Sequence, residues 1–273
     1  MIKPISGVIG WPISHSKSPC IHRYWLKKNK IRGEYRSLSI EPQNFLRELK
    51  SLPSKGFVGA NVTIPHKEAA LKNATQATNR ACSIGAANTL VFLPNGGYHA
   101  YNTDGEGFIN NLKQNAPGWD ASIGPAFVIG AGGASRAILY SLLASGTPEI
   151  LLANRTKPRA ERLATEFGKR ITVIDWADIS LATAKVTTII NTTSLGMTGQ
   201  AELEITLQCS PNTLVTDIVY APLQTDLLKQ AADRGCETVD GLGMLLHQAV
   251  PGFEAWFGIR PTVDETLRQI VIV

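Results

Sequence analysis

Short apolar runs alternate with stretches of helical periodicity along the chain. Ile5–Ile9 reads as a strand ending at Gly10. Pro19 to Lys30 reads as a helix, with Pro19 in its first turn and Ser18 as its N-cap. A strand over Glu34–Ile40, a helix over Pro42–Leu52, a strand over Val58–Ile64 stopped by Pro65 and a helix over His66–Lys72 follow. Two further strands, Asn88–Leu93 and Tyr98–Asn102, flank the turn Pro94-Asn95-Gly96-Gly97. From Asp104 a helix runs to about Gln114. The stretch from Ala116-Pro117-Gly118 to Gly124-Pro125 reads as a linker or surface loop.

A second run of the same kind follows. Strands at Ala126–Ile129, Ile150–Ala153, Thr172–Ile174, Thr188–Asn191, Leu214–Val219 and Glu237–Val239 are interleaved with helices at Ala134–Ala144, Pro158–Phe167 and Thr225–Arg234. This alternation predicts a parallel sheet with helices on both faces, an α/β fold. The tail is helical over Gly243–Phe257 and Thr262–Ile270, and such a tail is free to pack back on the first domain.

Composition narrows the reading. At roughly 150 residues per domain, 273 residues make one large or two small domains. The 44% apolar content supports a core, and 18% charged residues is too dilute for a disordered chain. No apolar run reaches the ~18–20 residues of a membrane span. The opening MIKPISGVIGWPISHSKSP does not have the pattern of a secretory signal. The net charge of +5 comes from scattered residues. Its densest cluster, Arg23 to Arg32, reads as a solvated helix face, and no nucleic-acid motif accompanies it. A small anionic ligand fits the charge equally well. Cys20, Cys82, Cys209 and Cys236 form no CxxC, which argues against a zinc site or a disulfide framework and fits a reducing cytoplasm.

Gly130-Ala131-Gly132-Gly133-Ala134-Ser135 sits between a buried-type strand and a helix, where a dinucleotide-binding loop belongs. Gly130 permits the tight turn, and Gly132 lets a pyrophosphate approach the backbone at the helix start. The third fingerprint position is Ser135 rather than Gly or Ala. An NAD site places a carboxylate at the end of the next strand, about 20 residues on. Here that strand ends in Asn154-Arg155-Thr156, with Arg159 close behind. A guanidinium pairs with a 2′-phosphate where an acid would repel it, so the sequence favours NADP.

Polar residues crowd the strand ends of the first half. They are Ser14 and Ser16 after the first strand, Asn61 and Thr63 at the end of the third, Asn88 at the start of another, and Asp104 after Asn102-Thr103. Such ends line ligand crevices in open α/β sheets. Neutral donors and acceptors of this kind suit a small polyhydroxylated ligand.

In these segments the chain resembles the shikimate dehydrogenase family nearly end to end. The residues that carry the resemblance include Ser14-His15-Ser16-Lys17-Ser18-Pro19, Asn61-Val62-Thr63-Ile64-Pro65-His66-Lys67, Gly85-Ala86-Ala87-Asn88-Thr89 and Asn102-Thr103-Asp104-Gly105. Asn191-Thr192-Thr193-Ser194-Leu195-Gly196-Met197, Asp217-Ile218-Val219-Tyr220-Ala221-Pro222 and Gly241-Leu242-Gly243-Met244-Leu245-Leu246-His247-Gln248-Ala249 extend it. Two departures stand out: no acidic residue near Thr75–Gln76, and Ala87 where Val is common.

The resemblance implies a substrate domain over residues 1–104, completed by C-terminal helices 244–273, and a Rossmann-type NADP-binding domain over 105–243. The active site would lie in the cleft between them. It implies reversible NADPH-dependent reduction of 3-dehydroshikimate to shikimate in aromatic amino acid biosynthesis, in the cytoplasm, by a monomer or homodimer without nucleic-acid or membrane partners or a metal. Lys67 and Asp104 would be the catalytic pair. Ser14, Ser16, Asn61, Thr63, Asn88, Asp104, Tyr220 and Gln248 would hold the substrate. Gly130, Ala131, Gly132, Gly133 and Ala134 would take the pyrophosphate. Asn154, Arg155, Thr156 and Arg159 would take the adenosine phosphate, with Ile218 and Gly241 along the nicotinamide. A quinate/shikimate dehydrogenase of broader substrate or cofactor range and a non-catalytic binding relative are the alternatives.

Overall fold

The computed structural model describes residues 3–272. The described residues divide into two compact units, one formed by 3–104 with 246–272 and the other by 105–245.

In the first unit, β1 (Ile5–Gly10) is followed by α1 (Ser18–Lys28), β2 (Glu34–Ser39), α2 (Phe45–Ser51), β3 (Gly59–Val62), α3 (Lys67–Lys72), β4 (Gln76–Ala77), α4 (Asn79–Ile84), β5 (Thr89–Phe92) and β6 (Tyr98–Tyr101). The sheet order is β2-β1-β3-β5-β6-β4. β1 runs parallel to β2 and β3, whereas β5 is antiparallel to both β3 and β6. The sheet is therefore mixed, not uniformly parallel as alternation alone predicts. The connection between β5 and β6 is a short turn, and a parallel neighbour would need a crossover of a dozen residues or more.

Local signals explain other differences. Lys17, not Ser18, occupies the N-cap position of α1, and Ser18 is the first helical residue. Its N–H donates to Ser16 Oγ at 3.3 Å, so the hydroxyl that caps lies upstream. The helix expected over Pro42–Leu52 is a 3₁₀ turn at Pro42–Asn44 followed by α2, whose inward residues are Phe45 and Leu49. β4 and α4 are too short to show periodicity. α4 buries only Ala81 and Ile84 and is capped by Thr78 Oγ, which accepts from the Ala81 N–H.

The second unit takes up most of α5 (Asp104–Asn115) and continues through β7 (Ala126–Ile129), α6 (Gly133–Ala144), β8 (Ile150–Ala153), α7 (Lys157–Phe167), β9 (Ile171–Val173), α8 (Ile179–Ala182), β10 (Thr188–Asn191), β11 (Leu214–Asp217), α9 (Asp226–Asp233) and β12 (Glu237–Val239). All pairings are parallel, in the order β12-β11-β10-β7-β8-β9. Alternate residues of β7 feed opposite faces: Ala126 and Val128 pack with Phe108, Ile138 and Leu142, while Phe127 and Ile129 pack with Ile189, Val215 and Leu227. All three central strands are buried along their length: β7 is apolar throughout, as burial on both faces favours, whereas β10 and β11 each bury two polar residues, Thr188 and Asn191 and Thr216 and Asp217. Strand order reverses between β7 and β10, the place where doubly wound sheets bind ligands.

Two helices close the chain, α10 (Leu242–Phe257) and α11 (Glu265–Ile272). Within the first unit, Trp256 donates its indole N–H to the Leu90 carbonyl at 2.9 Å, and Trp25 donates to the Thr262 carbonyl at 2.9 Å. Gly59 makes the former possible, since a Cβ there would stand 2.1 Å from Trp256 Nε1. Lys28 and Tyr24 of α1 both bond Asp264, just ahead of α11. Among the described residues, no helix is long and apolar enough to cross a membrane.

Candidate active site

Register places the polar segments of the first unit along one sheet edge. Ile9 stands beside Val62, Asn61 opposite Thr89, and Thr89 opposite Tyr101. Parallel β1 and β3 therefore send their following loops, with Ser14, Ser16, Thr63 and Lys67, out of the same edge. Antiparallel β5 brings its beginning there, which is why Asn88 precedes a strand while the others follow one. β6 then delivers Asn102, Thr103 and Asp104.

Lys67 opens α3 and Asp104 opens α5. Lys67 Nζ lies 2.5 Å from Asp104 Oδ2, and the two side chains are 27% and 11% exposed, so solvent reaches the lysine more than the acid. A carboxylate in the first turn of a helix is favoured by the helix dipole. The Asp104 N–H donates to Asn102 Oδ1 at 3.1 Å, fixing that turn. Asn88 Nδ2 donates to Asp104 Oδ1 at 2.7 Å. The same amide nitrogen also lies 2.9 Å from Thr103 Oγ1 and 3.2 Å from Gln248 Oε1. With two hydrogens for three acceptors, one bond is shared. Thr103 Oγ1 donates to the Gln248 carbonyl at 2.8 Å, tying α10 to this edge.

Asn61 is buried and works inward. Its Nδ2 donates to the Asn88 carbonyl and to Thr89 Oγ1, and its Oδ1 accepts from Tyr35 OH at 2.6 Å. Both amide hydrogens are thus used inside the protein. Ser14 is exposed; Ser16 and Thr63 are half-buried. Gly10 lets Thr63 approach β1, because a Cβ there would stand 2.6 Å from Thr63 Cγ2. His66 precedes Lys67 and anchors α3, with Nε2 2.8 Å from the Ile40 carbonyl and its ring stacked on Phe45 at 4.4 Å. Burial pulls the His66 imidazole below its usual value, partly offset by the Ile40 bond. The neutral ring then donates from Nε2. Ala87 is fully buried in the core beside Leu90.

The second unit presents its own row. Ile129 lies between Ala153 and Asn191, and Asn191 beside Asp217, so Gly130, Asn154, Thr192 and Ile218 emerge side by side. Gly130 has φ +111° and a Cβ there would stand 2.6 Å from Thr192 Oγ1, so the turn requires glycine. Around Gly132 and Gly133 a Cβ would meet nothing within 4 Å. That open cradle at the start of α6 fits a pyrophosphate on backbone N–H groups. Ser135, at the departing fingerprint position, is buried and donates to the Gly130 carbonyl at 2.7 Å, which braces the turn. Asn154 Oδ1 accepts from the Ala131 N–H at 3.1 Å, joining this loop to the next. Arg155 and Arg159 are exposed, and neither guanidinium has an ion-pair partner among the described residues. Thr156 and Ala134 flank these loops, exposed and half-buried respectively.

Asp217 ends β11 earlier than expected, because its Oδ1 accepts from the Val219 N–H at 2.9 Å and curls the chain. It also accepts from Asn191 Nδ2 and from Thr225 Oγ. Thr225 is accordingly the N-cap of α9 rather than its first residue. Burial raises the Asp217 carboxyl against these three bonds. The bend presents half-buried Ile218 and exposed Tyr220. Gly241 packs against it, since a Cβ there would stand 2.2 Å from the Ile218 carbonyl oxygen. Tyr35 was not singled out by the sequence, and Thr103, Asn191 and Asp217 stood inside the family-like segments without a role of their own. Their partners lie on other elements of the chain.

A reversing parallel sheet with a glycine turn, and a sheet edge carrying a lysine–aspartate pair, define a dinucleotide-dependent oxidoreductase. The chain matches the shikimate dehydrogenase substrate binding domain over residues 8–90, shikimate/quinate 5-dehydrogenase over 114–220 and the shikimate 5′-dehydrogenase C-terminal domain over 241–270. It belongs to the shikimate dehydrogenase family. The shikimate dehydrogenase (NADP(+)) of Paracoccus denitrificans is 54% identical over 98% of this chain and 96% of its own. The shikimate 5-dehydrogenase of Thermus thermophilus, solved with NADP(H) and shikimate, is similar with a TM-score of 0.86 and 32% identity over 98% of each chain. The quinate dehydrogenase of Corynebacterium glutamicum, solved with NAD, has a TM-score of 0.88 and 28% identity over 98% of this chain and 97% of that one.

Proposed function

We propose that this protein is an NADP(H)-dependent dehydrogenase that interconverts 3-dehydroshikimate and shikimate, a step of aromatic amino acid biosynthesis. The observation that carries the reading is the Lys67–Asp104 pair, held by Asn88 on an edge crowded with neutral donors and acceptors. Residues 1–104 with 244–273 form the substrate domain, and 105–243 the cofactor domain.

NADPH, when bound, supplies the hydride that adds to the ketone carbon. Gly130–Ala134 receive its pyrophosphate. Asn154, Arg155, Thr156 and Arg159 would take the adenosine 2′-phosphate, a role supported by two guanidinium groups without an ion pair among the described residues and by a strand end without a carboxylate. Ile218 and Gly241 line the nicotinamide.

Negative charge develops on the ketone oxygen as the hydride arrives. The Lys67 ammonium donates a proton to that oxygen, leaving a hydroxyl on the product and a neutral amine on the enzyme. In the oxidative direction the amine takes the proton back. Asp104 orients Lys67 and accepts from a substrate hydroxyl. Asn88 and Gln248 offer amide contacts to the ring hydroxyls, Tyr220 a phenol, and Ser14, Ser16 and Thr63 hydroxyls to the carboxylate side. Asn61, with its hydrogens committed inward, serves by holding Asn88. We place the enzyme in the cytoplasm as a monomer or homodimer; its four free thiols fit a reducing compartment.

The test is absorbance at the nicotinamide band with shikimate or quinate paired with NADP or NAD. The expected result is the highest kcat/KM for shikimate with NADP. A higher value for quinate with NAD replaces the proposed substrate, and binding without turnover in any pairing makes the protein a non-catalytic relative.

A further inference from the structure

β2 carries a tyrosine far from the sheet edge that holds the lysine–aspartate pair, yet a continuous set of buried hydrogen bonds joins the two. Tyr35 is 1% exposed. Its ring stacks on His22 at 4.0 Å, which fixes the direction of its hydroxyl. That hydroxyl donates to Asn61 Oδ1 at 2.6 Å. An asparagine amide can take two senses, and a phenol donor on one side selects the sense with oxygen facing it. Asn61 Nδ2 is thereby turned to Thr89 Oγ1 at 3.1 Å and to the Asn88 carbonyl at 3.2 Å. Thr89 Oγ1 then has its own hydrogen free for Asn88 Oδ1, at 3.1 Å. This bond and the Thr103 N–H, at 2.9 Å, hold the oxygen of the Asn88 amide. Its nitrogen is left to face Asp104 Oδ1 at 2.7 Å.

We infer that Tyr35 is a positioning residue for the reaction, acting through Asn61, Thr89 and Asn88 to set the carboxylate that holds Lys67. The inference rests on the proposed role of the Lys67–Asp104 pair. Burial raises the Tyr35 phenol well above its usual value, so it remains a donor throughout the working range. Asn61 is the relay because it touches both ends: Tyr35 on one side, Asn88 and Thr89 on the other.

The experiment compares Tyr35→Phe, Thr89→Val, Thr89→Ser and the double variant Tyr35→Phe/Thr89→Val. Wild-type turnover of shikimate with NADP is the control, and its absence would count against the proposed function rather than this relay. Each of the first two variants is expected to lose about tenfold in kcat, the scale of one buried hydrogen bond. KM for NADP should stay within about twofold, since the cofactor loops are untouched. Thr89→Ser keeps the hydroxyl and should restore kcat. In the double variant the losses should not multiply, because both break one relay. Unchanged kcat in Tyr35→Phe overturns the inference. So do multiplied losses in the double variant, or a Thr89→Ser enzyme no better than Thr89→Val. If Tyr35→Phe does not fold, the two Thr89 variants decide the matter on the same readouts.

Discussion

Lys67 Nζ and Asp104 Oδ2 stand 2.5 Å apart at the first turns of two helices that leave the same sheet edge. The aspartate has a second anchor in Asn88, on its other oxygen, whereas among the described residues the lysine side chain bonds only the aspartate. The acid is thus fixed in place, and the ammonium is the group free to meet a ligand.

Replacing Lys67 by Ala removes the proposed proton donor and leaves in place Asn88 and Gln248, the proposed substrate contacts. Steady-state kinetics should show kcat lower by roughly 10²-fold or more, the scale of general acid–base catalysis, with KM for shikimate little changed. An unaltered kcat would assign proton transfer to another group.

Arg155 offers a test of cofactor choice that does not touch the chemistry. Its guanidinium is exposed at the end of β8 and bears no ion pair among the described residues. A charge-assisted bond to a phosphate contributes about 1.5–3 kcal/mol. Arg155→Ala should therefore lower kcat/KM with NADP by roughly tenfold or more. The value with NAD, which lacks the 2′-phosphate, should hardly move. Equal losses with both cofactors would place Arg155 away from that phosphate.

How much of this was readable in advance depends on the range of the interaction. The glycine turn, the basic strand end after β8 and the Lys67 and Asp104 segments are local patterns, and each emerges at a sheet edge. Tyr35 and Thr103 are different: their partners lie 26 and 145 positions away, at Asn61 and Gln248. No spacing rule reaches that far. The direction of β5 was half visible. The Pro94–Gly97 turn implied a hairpin with β6, but not that β5 would also lie antiparallel to β3. Ser18 shows the reverse error, a strong local cap signal overridden by a second serine two residues earlier.

The glycines of the turn separate fold from binding. Gly130→Ala forces a side chain into positive φ and against Thr192, a strain on the order of 1–3 kcal/mol. Its Tm should fall by several degrees. Gly132→Ala meets nothing within 4 Å and has an ordinary φ of −96°, so its Tm should stay near wild type. The added methyl instead occupies the open cradle and should raise KM for NADP. Calorimetry on both variants, alongside KM for each cofactor, checks the contrast. An unaltered KM in Gly132→Ala would remove the cradle from the binding site.

His22 predicts an acid limit to stability. It is fully buried among Trp25, Tyr35, Phe253 and Trp256, with the Asn61 side chain as its polar neighbour. Burial lowers its pKa to about 3, against 6.5 for the free group. Between those values the unfolded chain binds a proton that the folded chain refuses, so stability is intact above pH 6.5 and declines as pH falls toward 3. One such site gives a slope of about 1.4 kcal/mol per pH unit. His66 and His247 are lowered too, chiefly by burial, and add to the same window. Urea unfolding between pH 7.5 and 5 should show the decline, and His22→Phe should lower its slope by close to one proton's worth while His66 and His247 retain theirs. A slope unchanged in that variant would mean that His22 is already protonated in the folded protein, with its charge met by a group near the aromatic cluster.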